Sequence, residues 1–103
     1  MSKVVDPSLR SKVLLSIQRA LVGTITPNVR AIVCRWSESA IDIRAMFDDA
    51  PSSTELEIMS VAETEVMSDF PKSHVQLKCI QLQLPNKVTV DDDEVIVYGR
   101  REH

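Results

Sequence analysis

The sequence predicts an α+β domain in which two helices pack on one face of a four-stranded, mainly antiparallel sheet. The length of 103 residues is that of a single domain, and we expect one domain over residues 1–103. Two segments carry apolar residues at helical spacing, whereas the other apolar segments are short and rich in β-branched residues. These segments follow the order helix, strand, strand, helix, strand, strand.

The first helix is predicted over residues 7–22. Asp6 is a suitable N-cap, and Pro7 then occupies the first helical position, where its missing N–H costs nothing. Apolar residues follow at helical spacing, namely Leu9, Val13, Leu14, Ile17, Ala20 and Leu21. Gly23 is placed to adopt the left-handed conformation that often ends a helix.

A turn at residues 26–28 precedes two strands, predicted over residues 29–36 and 40–47. In the second strand an apolar set alternates with a more polar set. The apolar set is Ile41, Ile43, Ala45 and Phe47, and the other is Ala40, Asp42, Arg44 and Met46. This alternation predicts one covered face of the sheet and one face in water.

The second helix follows the turn at residues 48–51. Ser52 or Ser53 is the expected N-cap, and Ser52 has Glu55 three residues later, the spacing of a capping box. The predicted inward stripe consists of Leu56, Met59, Ala62, Val66 and Phe70. Pro71 ends the helix.

Glu63 lies close to this inward stripe. A carboxylate there needs a partner, so we expect a structural ion pair with Arg19 or Arg30. The other glutamates of the helix are interpreted as surface residues.

The last two strands are predicted over residues 74–84 and 94–100, and we expect them to form a hairpin. In the final strand Val95 and Val97 are predicted to lie opposite Ile96 and Tyr98. Between these strands, Pro85 ends the first one, and an acidic loop occupies residues 91–93.

Charge is unevenly distributed along the chain, whose net charge is −3. Residues 1–36 hold six basic residues and one acidic residue, whereas residues 37–95 hold thirteen acidic residues and four basic ones. Such a field favours a basic protein partner, although a solvated acidic face is the alternative interpretation. Aromatic residues make up only 4% of the chain, so stacking platforms for nucleic acid are scarce, and we expect no direct nucleic-acid binding.

No catalytic or metal-binding constellation is recognisable. Gly23 and Gly99 are the only glycines, so the usual phosphate-binding loops are excluded. His74 has no recognisable orienting partner and is interpreted as a surface residue. The acidic loop lacks the ligand spacing and the glycine of a calcium loop. We therefore expect no catalytic, metal-binding or cofactor-binding residues and no enzymatic activity.

Cys34 and Cys79 are interpreted as two buried thiols, with a disulfide between neighbouring strands as the alternative. Trp36 lies at a strand end, where it is either a residue at the rim of the core or an exposed anchor for a partner. No apolar run is long enough to span a membrane, and residues 1–7 lack a hydrophobic signal core, so we expect a cytoplasmic protein without membrane contact.

Two segments resemble a known family. Residues 19–32 (RALVGTITPNVRAI) and residues 63–71 (ETEVMSDFP) each join a helix end to the turn before a strand. They resemble small bacterial immunity proteins of the colicin and contact-dependent growth inhibition types, which are encoded beside secreted toxins. The ending VYGRRE at residues 97–102 is also similar. The resemblance covers residues 19–102.

The resemblance implies an immunity protein that binds and neutralises a cognate toxin domain in the cytoplasm, by covering its active site or the access of its substrate. Many such toxins are nucleases, which present cationic surfaces to phosphates, and an acidic inhibitor would complement such a surface. The alternative is a non-catalytic adaptor or a homodimeric structural protein, and an immunity protein of this kind is itself compatible with a homodimer.

The resemblance assigns no partner-binding residues, so the candidates follow from charge. The first set lies where the hairpin meets the second helix, and comprises Asp48, Asp49, Glu55 and Glu57. The second set is the acidic loop with Asp91, Asp92 and Asp93. Glu65 is a further surface candidate on the second helix.

Overall fold

A computed structural model of the chain describes residues 7–102. Its elements are α1 (Pro7–Ala20), β1 (Val29–Trp36), β2 (Ala40–Phe47), α2 (Ser53–Asp69), β3 (His74–Gln81) and β4 (Val95–Gly99). This order confirms the predicted α+β arrangement. The predicted N-cap Asp6 lies outside the described residues. Gly23 has a φ of +78°, as expected for a residue that follows a helix end.

The four strands form one sheet in the order β3-β2-β1-β4. Strand β1 pairs antiparallel with both β2 and β4, whereas β2 and β3 are parallel. The sheet is therefore mainly antiparallel, but the predicted last hairpin is wrong because β3 and β4 lie at opposite edges. Helix α2 carries the chain back along the sheet between β2 and β3, and such a crossover connection produces parallel strands.

Both helices pack on one face of the sheet, as predicted. Residues of α1 and α2 share one buried cluster with the inward residues of the strands. That cluster includes Val13, Ile17, Ile32, Ile43, Phe47, Met59, Ala62 and Val66. Helix α2 begins with the predicted capping box, in which Ser52 Oγ accepts from the Glu55 N–H and the Glu55 carboxylate accepts from the Ser52 N–H. The predicted inward position of Leu56 is wrong, because Leu56 flanks the sheet and stays exposed.

The other face of the sheet is only partly open to water. Residues 82–94, which we call the strap, run across it between β3 and β4 without regular secondary structure. Leu82 and Val88 of the strap pack on Ala31, Val33 and Met46, which are buried. The prediction that this face of the sheet lies in water is therefore wrong around Met46. The strap has no periodic apolar pattern, and so the sequence carries no signal that it covers the sheet.

Arg30 fixes the beginning of the strap and the end of the chain. Its guanidinium donates to the carbonyl oxygens of Leu82 at 2.6 Å and Asn86 at 2.7 Å. It also donates to both carboxylate oxygens of Glu102, each at 2.8 Å. Only 2% of the Arg30 side chain is exposed, and this fourfold bonding explains how a charge can stay inside the sheet.

Arg44 fixes the other end of the strap. It forms a two-pronged ion pair with Glu94 and donates to the Thr89 carbonyl oxygen at 3.1 Å. The Glu94 carboxylate also accepts from the Asp91 N–H at 3.0 Å. Two arginines on neighbouring strands therefore clamp the strap at both ends.

A register shift in the pairing of β1 with β4 changes which side chains of β4 face the core. Ile32 pairs with Tyr98, but the next residue, Val33, pairs with Ile96. As a result Tyr98 packs with Val95 and Val97 against the main core, while Ile96 is 58% exposed. The predicted opposition of Tyr98 and Val97 is therefore wrong, because a bulge shifts the side-chain alternation.

Candidate partner-binding surfaces

Three of the four residues of the first acidic set lie together at one shallow hollow, which we call the turn patch. Asp48, Asp49 and Glu55 line it with Thr26, Pro27, Asn28 and Arg100. Glu57 lies one residue beyond the first turn of α2 and is exposed. The structure thus brings three residues of the first set together, with basic Arg100 among the lining residues, and Glu57 is not part of the hollow.

Glu55 is engaged inside the fold. Its Oε1 accepts from the Ser52 N–H at 3.0 Å and from Asn28 Nδ2 at 3.2 Å, and its Oε2 accepts from the Thr26 hydroxyl. The bond from the Ser52 N–H, followed by that from Thr26, lowers the pKa of Glu55. Glu55 thereby ties the start of α2 to the turn before β1.

Asp48 and Asp49 differ in whether the carboxylate is bonded within the fold. The Asp48 carboxylate accepts from the Leu84 N–H at 2.9 Å and lies 3.6 Å from Arg100 Nη2. Asp49 bonds to the Asn28 side chain through its backbone, and the residue itself is exposed. Of the first set, Asp49 and Glu57 therefore present charge to solvent, whereas Asp48 and Glu55 hold the structure together.

The second acidic set lies at the end of the strap, and all three aspartates are exposed. Arg35 Nη1 is 3.5 Å from Asp93 Oδ2 and 4.0 Å from Asp91 Oδ2. This arginine neutralises part of the field of the loop. Glu65 is exposed on α2.

Glu63 has a different partner from the one predicted. Its Oε2 accepts a 2.7 Å hydrogen bond from the backbone N–H of Leu77 in β3. Arg30 pairs with Glu102 instead. The predicted ion pair of Glu63 is wrong because α2 runs beside β3, which brings this carboxylate to the strand edge.

A known protein family matches nearly the whole chain. Residues 10–102 match a family model described as MafI2 immunity protein. The chain belongs to the MafI2 immunity protein family. This confirms the resemblance to immunity proteins, while the more specific assignment to contact-dependent growth inhibition stays a prediction.

A solved structure has a fold similar to that of this MafI2 family member. It is a chain from the complex of a tri-AMPylated Shewanella oneidensis HEPN toxin with MNT antitoxin. The TM-score is 0.54 at 20% sequence identity, and the match covers 88% of this chain and 73% of that chain. At this identity the likeness concerns the fold alone. No curated protein sequence matches the chain.

The structure also shows the surroundings of the two cysteines and of Trp36 in this MafI2 family member. Cys34 and Cys79 are free thiols on strands that flank β2 from opposite sides; Cys34 is buried as predicted, whereas Cys79 is only partly buried. Burial raises the pKa of both thiols, to about 11 for Cys34. Trp36 is half-buried, and the Arg10 guanidinium lies 5.7 Å from its ring centre. Residues 7–102 contain no group of three or more His, Cys, Asp or Glu residues that could hold a metal ion. None of their helices is long and apolar enough to cross a membrane.

The sequence did not reveal the residues that hold the strap in place, namely Arg30 with Glu102 and Arg44 with Glu94. An arginine inside an apolar strand, such as Arg30 between Val29 and Ala31, is a signal that a buried partner must exist. The partner itself lies at the other end of the chain, so its identity was not readable from local pattern.

We expect the free energy of unfolding to decrease at acidic pH because Glu102 becomes protonated. The bond from Arg30, helped by Arg100, lowers the pKa of Glu102 from 4.5 to about 2. Because the folded-state pKa is the lower one, this contribution is complete above the unfolded value and is lost as pH falls from 4.5 towards about 2. Urea unfolding between neutral pH and pH of about 2.5 should show this loss.

Glu102→Gln is the decisive variant for this prediction, and Glu38→Gln, at an exposed residue of the β1–β2 turn, is its control. We expect a shallower pH dependence in Glu102→Gln than in the wild type. Some dependence should remain, since the pKa values of Glu55 and Glu94 are also lowered. An unchanged slope in Glu102→Gln would contradict the prediction.

Proposed function

We propose that this chain is a cytoplasmic immunity protein that binds a cognate toxin domain and covers its active site or the access of its substrate, without catalysis of its own. The observation that carries the proposal is the match of residues 10–102 to the MafI2 immunity protein family. The occurrence of a similar fold in a complex of a toxin and an antitoxin supports it.

We further propose that the toxin is a nuclease with a basic surface. Thirteen acidic residues against four basic ones in residues 37–95 give this part of the chain a strong negative field. A nuclease must present cations to the phosphates of its substrate, so an acidic protein can compete for the same surface. Complementary charge also accelerates association, which matters for an inhibitor that must act before the toxin does.

Among the candidate residues, exposure separates two roles. Asp49, Glu57, Glu65 and the three aspartates of the strap are exposed and can meet a partner without rearrangement. Asp48 and Glu55 already serve internal bonds, so in this proposal they shape the turn patch and contribute only their field. The first set is preferred, because its exposed members Asp49 and Glu57 form no ion pair with the described residues, whereas Arg35 contacts both Asp91 and Asp93 in the strap loop.

Charge reversal should slow association with the toxin. We expect the pair Asp49→Lys and Glu57→Lys to lower the association rate constant roughly tenfold at low salt, because steering depends on the field of the exposed charges. The difference should shrink at high salt, where exposed charges are screened. Stopped-flow binding to the catalytically inactivated toxin domain of the neighbouring gene measures this.

Two further variants complete the test. The pair Asp91→Lys and Asp93→Lys reports on the strap loop, and Glu38→Lys reverses an exposed charge outside both sets. If both pairs bind as Glu38→Lys does, the acidic-surface mechanism fails. If the wild type neither binds the toxin domain nor rescues cells that express it, the immunity function fails, and a homodimer in sedimentation would then favour the structural alternative.

A further inference from the structure

Strand β3 forms an open edge of the sheet. It pairs with β2 on one side and is the outermost strand at that edge of the sheet. It is eight residues long, whereas the opposite edge strand β4 has five residues and an irregular register. An edge strand carries a row of backbone groups that can pair with another chain, and β3 offers the longer row.

The bonds at the two ends of β3 fix which groups face outwards. His74 N–H donates to the Ser39 carbonyl, and Leu82 N–H donates to the Phe47 carbonyl. Because directions alternate along a strand, the even-numbered N–H groups between them face β2 and the odd-numbered ones face the open edge. The bond from the Leu77 N–H to Glu63 agrees with this assignment.

A groove separates this edge from α2. It is lined by Leu56, Met59, Ser60, Glu63, Leu77 and Cys79. Leu56, Ser60, Glu63 and Met67 lie on one stripe of the helix, since three or four residues separate them. Leu56 and Met67 are each 46% exposed, and Leu56 lies in the groove beside the outward-facing backbone of β3.

The charge of α2 indicates what kind of segment fits the groove. The helix contains five acidic residues and no lysine or arginine, and one of the five, Glu63, lines the groove. Lys78 of β3 pairs with Arg44 in register and therefore lies on the opposite face of the sheet. The groove therefore combines hydrogen-bonding backbone, apolar contacts and negative charge.

We propose that the cognate toxin domain adds an extended, basic segment to β3, with an apolar residue against Leu56 and a lysine or arginine against Glu63. This inference rests on the proposed function and adds the docking mode to it. A partner carbonyl replaces Glu63 as the acceptor for the Leu77 N–H, and the released carboxylate pairs with the cation of the segment. The backbone bonds then hold the complex, while the acidic surface steers its formation.

Amide hydrogen exchange tests the pairing directly. In the free protein the amides of Gln76, Lys78 and Ile80 should be protected by β2, whereas those of Cys79 and Gln81 should exchange fast. We expect the latter two to gain at least about tenfold protection when the inactivated toxin domain binds. Residue-resolved exchange by NMR, on the full chain alone and in the complex, measures this.

Two pairs of variants test the groove through the dissociation rate. Leu56→Lys should weaken binding at least about thirtyfold, the size of an interface hot spot. Leu15→Lys, at a leucine of α1 that is 51% exposed, should leave binding within about threefold. Cys79→Pro removes an outward N–H and should dissociate faster than Cys79→Ala, which keeps it.

The outcomes separate the proposals. If the wild type does not bind the toxin domain, the docking mode and the proposed function are both overturned. If it binds while the edge amides stay unprotected and Leu56→Lys binds normally, only the docking mode is overturned. A free chain that is already a dimer with protected edge amides places a second copy on β3 and also overturns it. Should Cys79→Pro fail to fold, amide exchange and Leu56→Lys still decide.

Discussion

Replacing Arg30 by alanine is expected to lower the free energy of unfolding by about 2–4 kcal/mol, because Arg30 is buried and hydrogen bonds to a charged group contribute roughly 1.5–3 kcal/mol each without being fully additive. The substitution removes the bonds that Arg30 makes to Glu102 and to two carbonyl oxygens of the strap. Those carbonyl groups would lose their donors, and the strap would lose its first anchor. Urea unfolding followed by circular dichroism gives the change in free energy.

Arg35→Ala is the matched control, because Arg35 lies on the same strand but is 46% exposed and contacts its acidic partners at 3.5 Å or more. Exposed ion pairs contribute little, so we expect a loss below about 1 kcal/mol. Arg30→Lys should recover only part of the stability, since an ammonium cannot form the two-pronged bond. Equal losses for Arg30→Ala and Arg35→Ala would show that the strap does not depend on Arg30.

The elements with strong local signals were predictable from the sequence. Strands β1 and β2 have the predicted bounds, because the β-branched run of β1 and the alternation of β2 each end at a turn on both sides. The N-terminus of α2 follows from the capping box of Ser52 and Glu55, whose bonds involve only neighbouring residues. Burial of Met59, Ala62 and Val66 follows from helical spacing alone.

The arrangement of the strands was less predictable. Nothing local to β3 distinguishes a strand that pairs with β4 from one that lies beside β2, since strand order depends on the path of the connections. The strap hides Met46 although it has no secondary structure, and its position depends on two arginines far away in the chain. Long-range contacts of this kind leave no periodic pattern.

The candidate site was likewise predictable only in part. Composition identifies where acidic residues are concentrated, and the structure does bring Asp48, Asp49 and Glu55 to one hollow. Charge alone does not separate a carboxylate that holds the fold from one that faces solvent. That distinction needs the bond partners, as the contrast between Glu55 and exposed Glu57 demonstrates.

Replacing Met46 by alanine should test the strap most directly. Met46 is 1% exposed and packs with Ala31 and Val33 beneath the strap. Removing a buried methionine side chain leaves a cavity, so we expect a loss of about 2–5 kcal/mol in the free energy of unfolding. If this face were in water, as alternation along β2 predicts, the same change would cost almost nothing.

Ile96→Ala is the control for this experiment, because Ile96 is 58% exposed and lies beside Val33 in the register of β4 and β1. We expect it to cost less than about 1 kcal/mol. A double-mutant cycle between Met46→Ala and Val88→Ala should show a coupling of at least about 0.5 kcal/mol, since only packed neighbours share a cavity. Additive losses would mean that Val88 does not cover Met46, and the strap would then be held by its two arginines without contributing to the core.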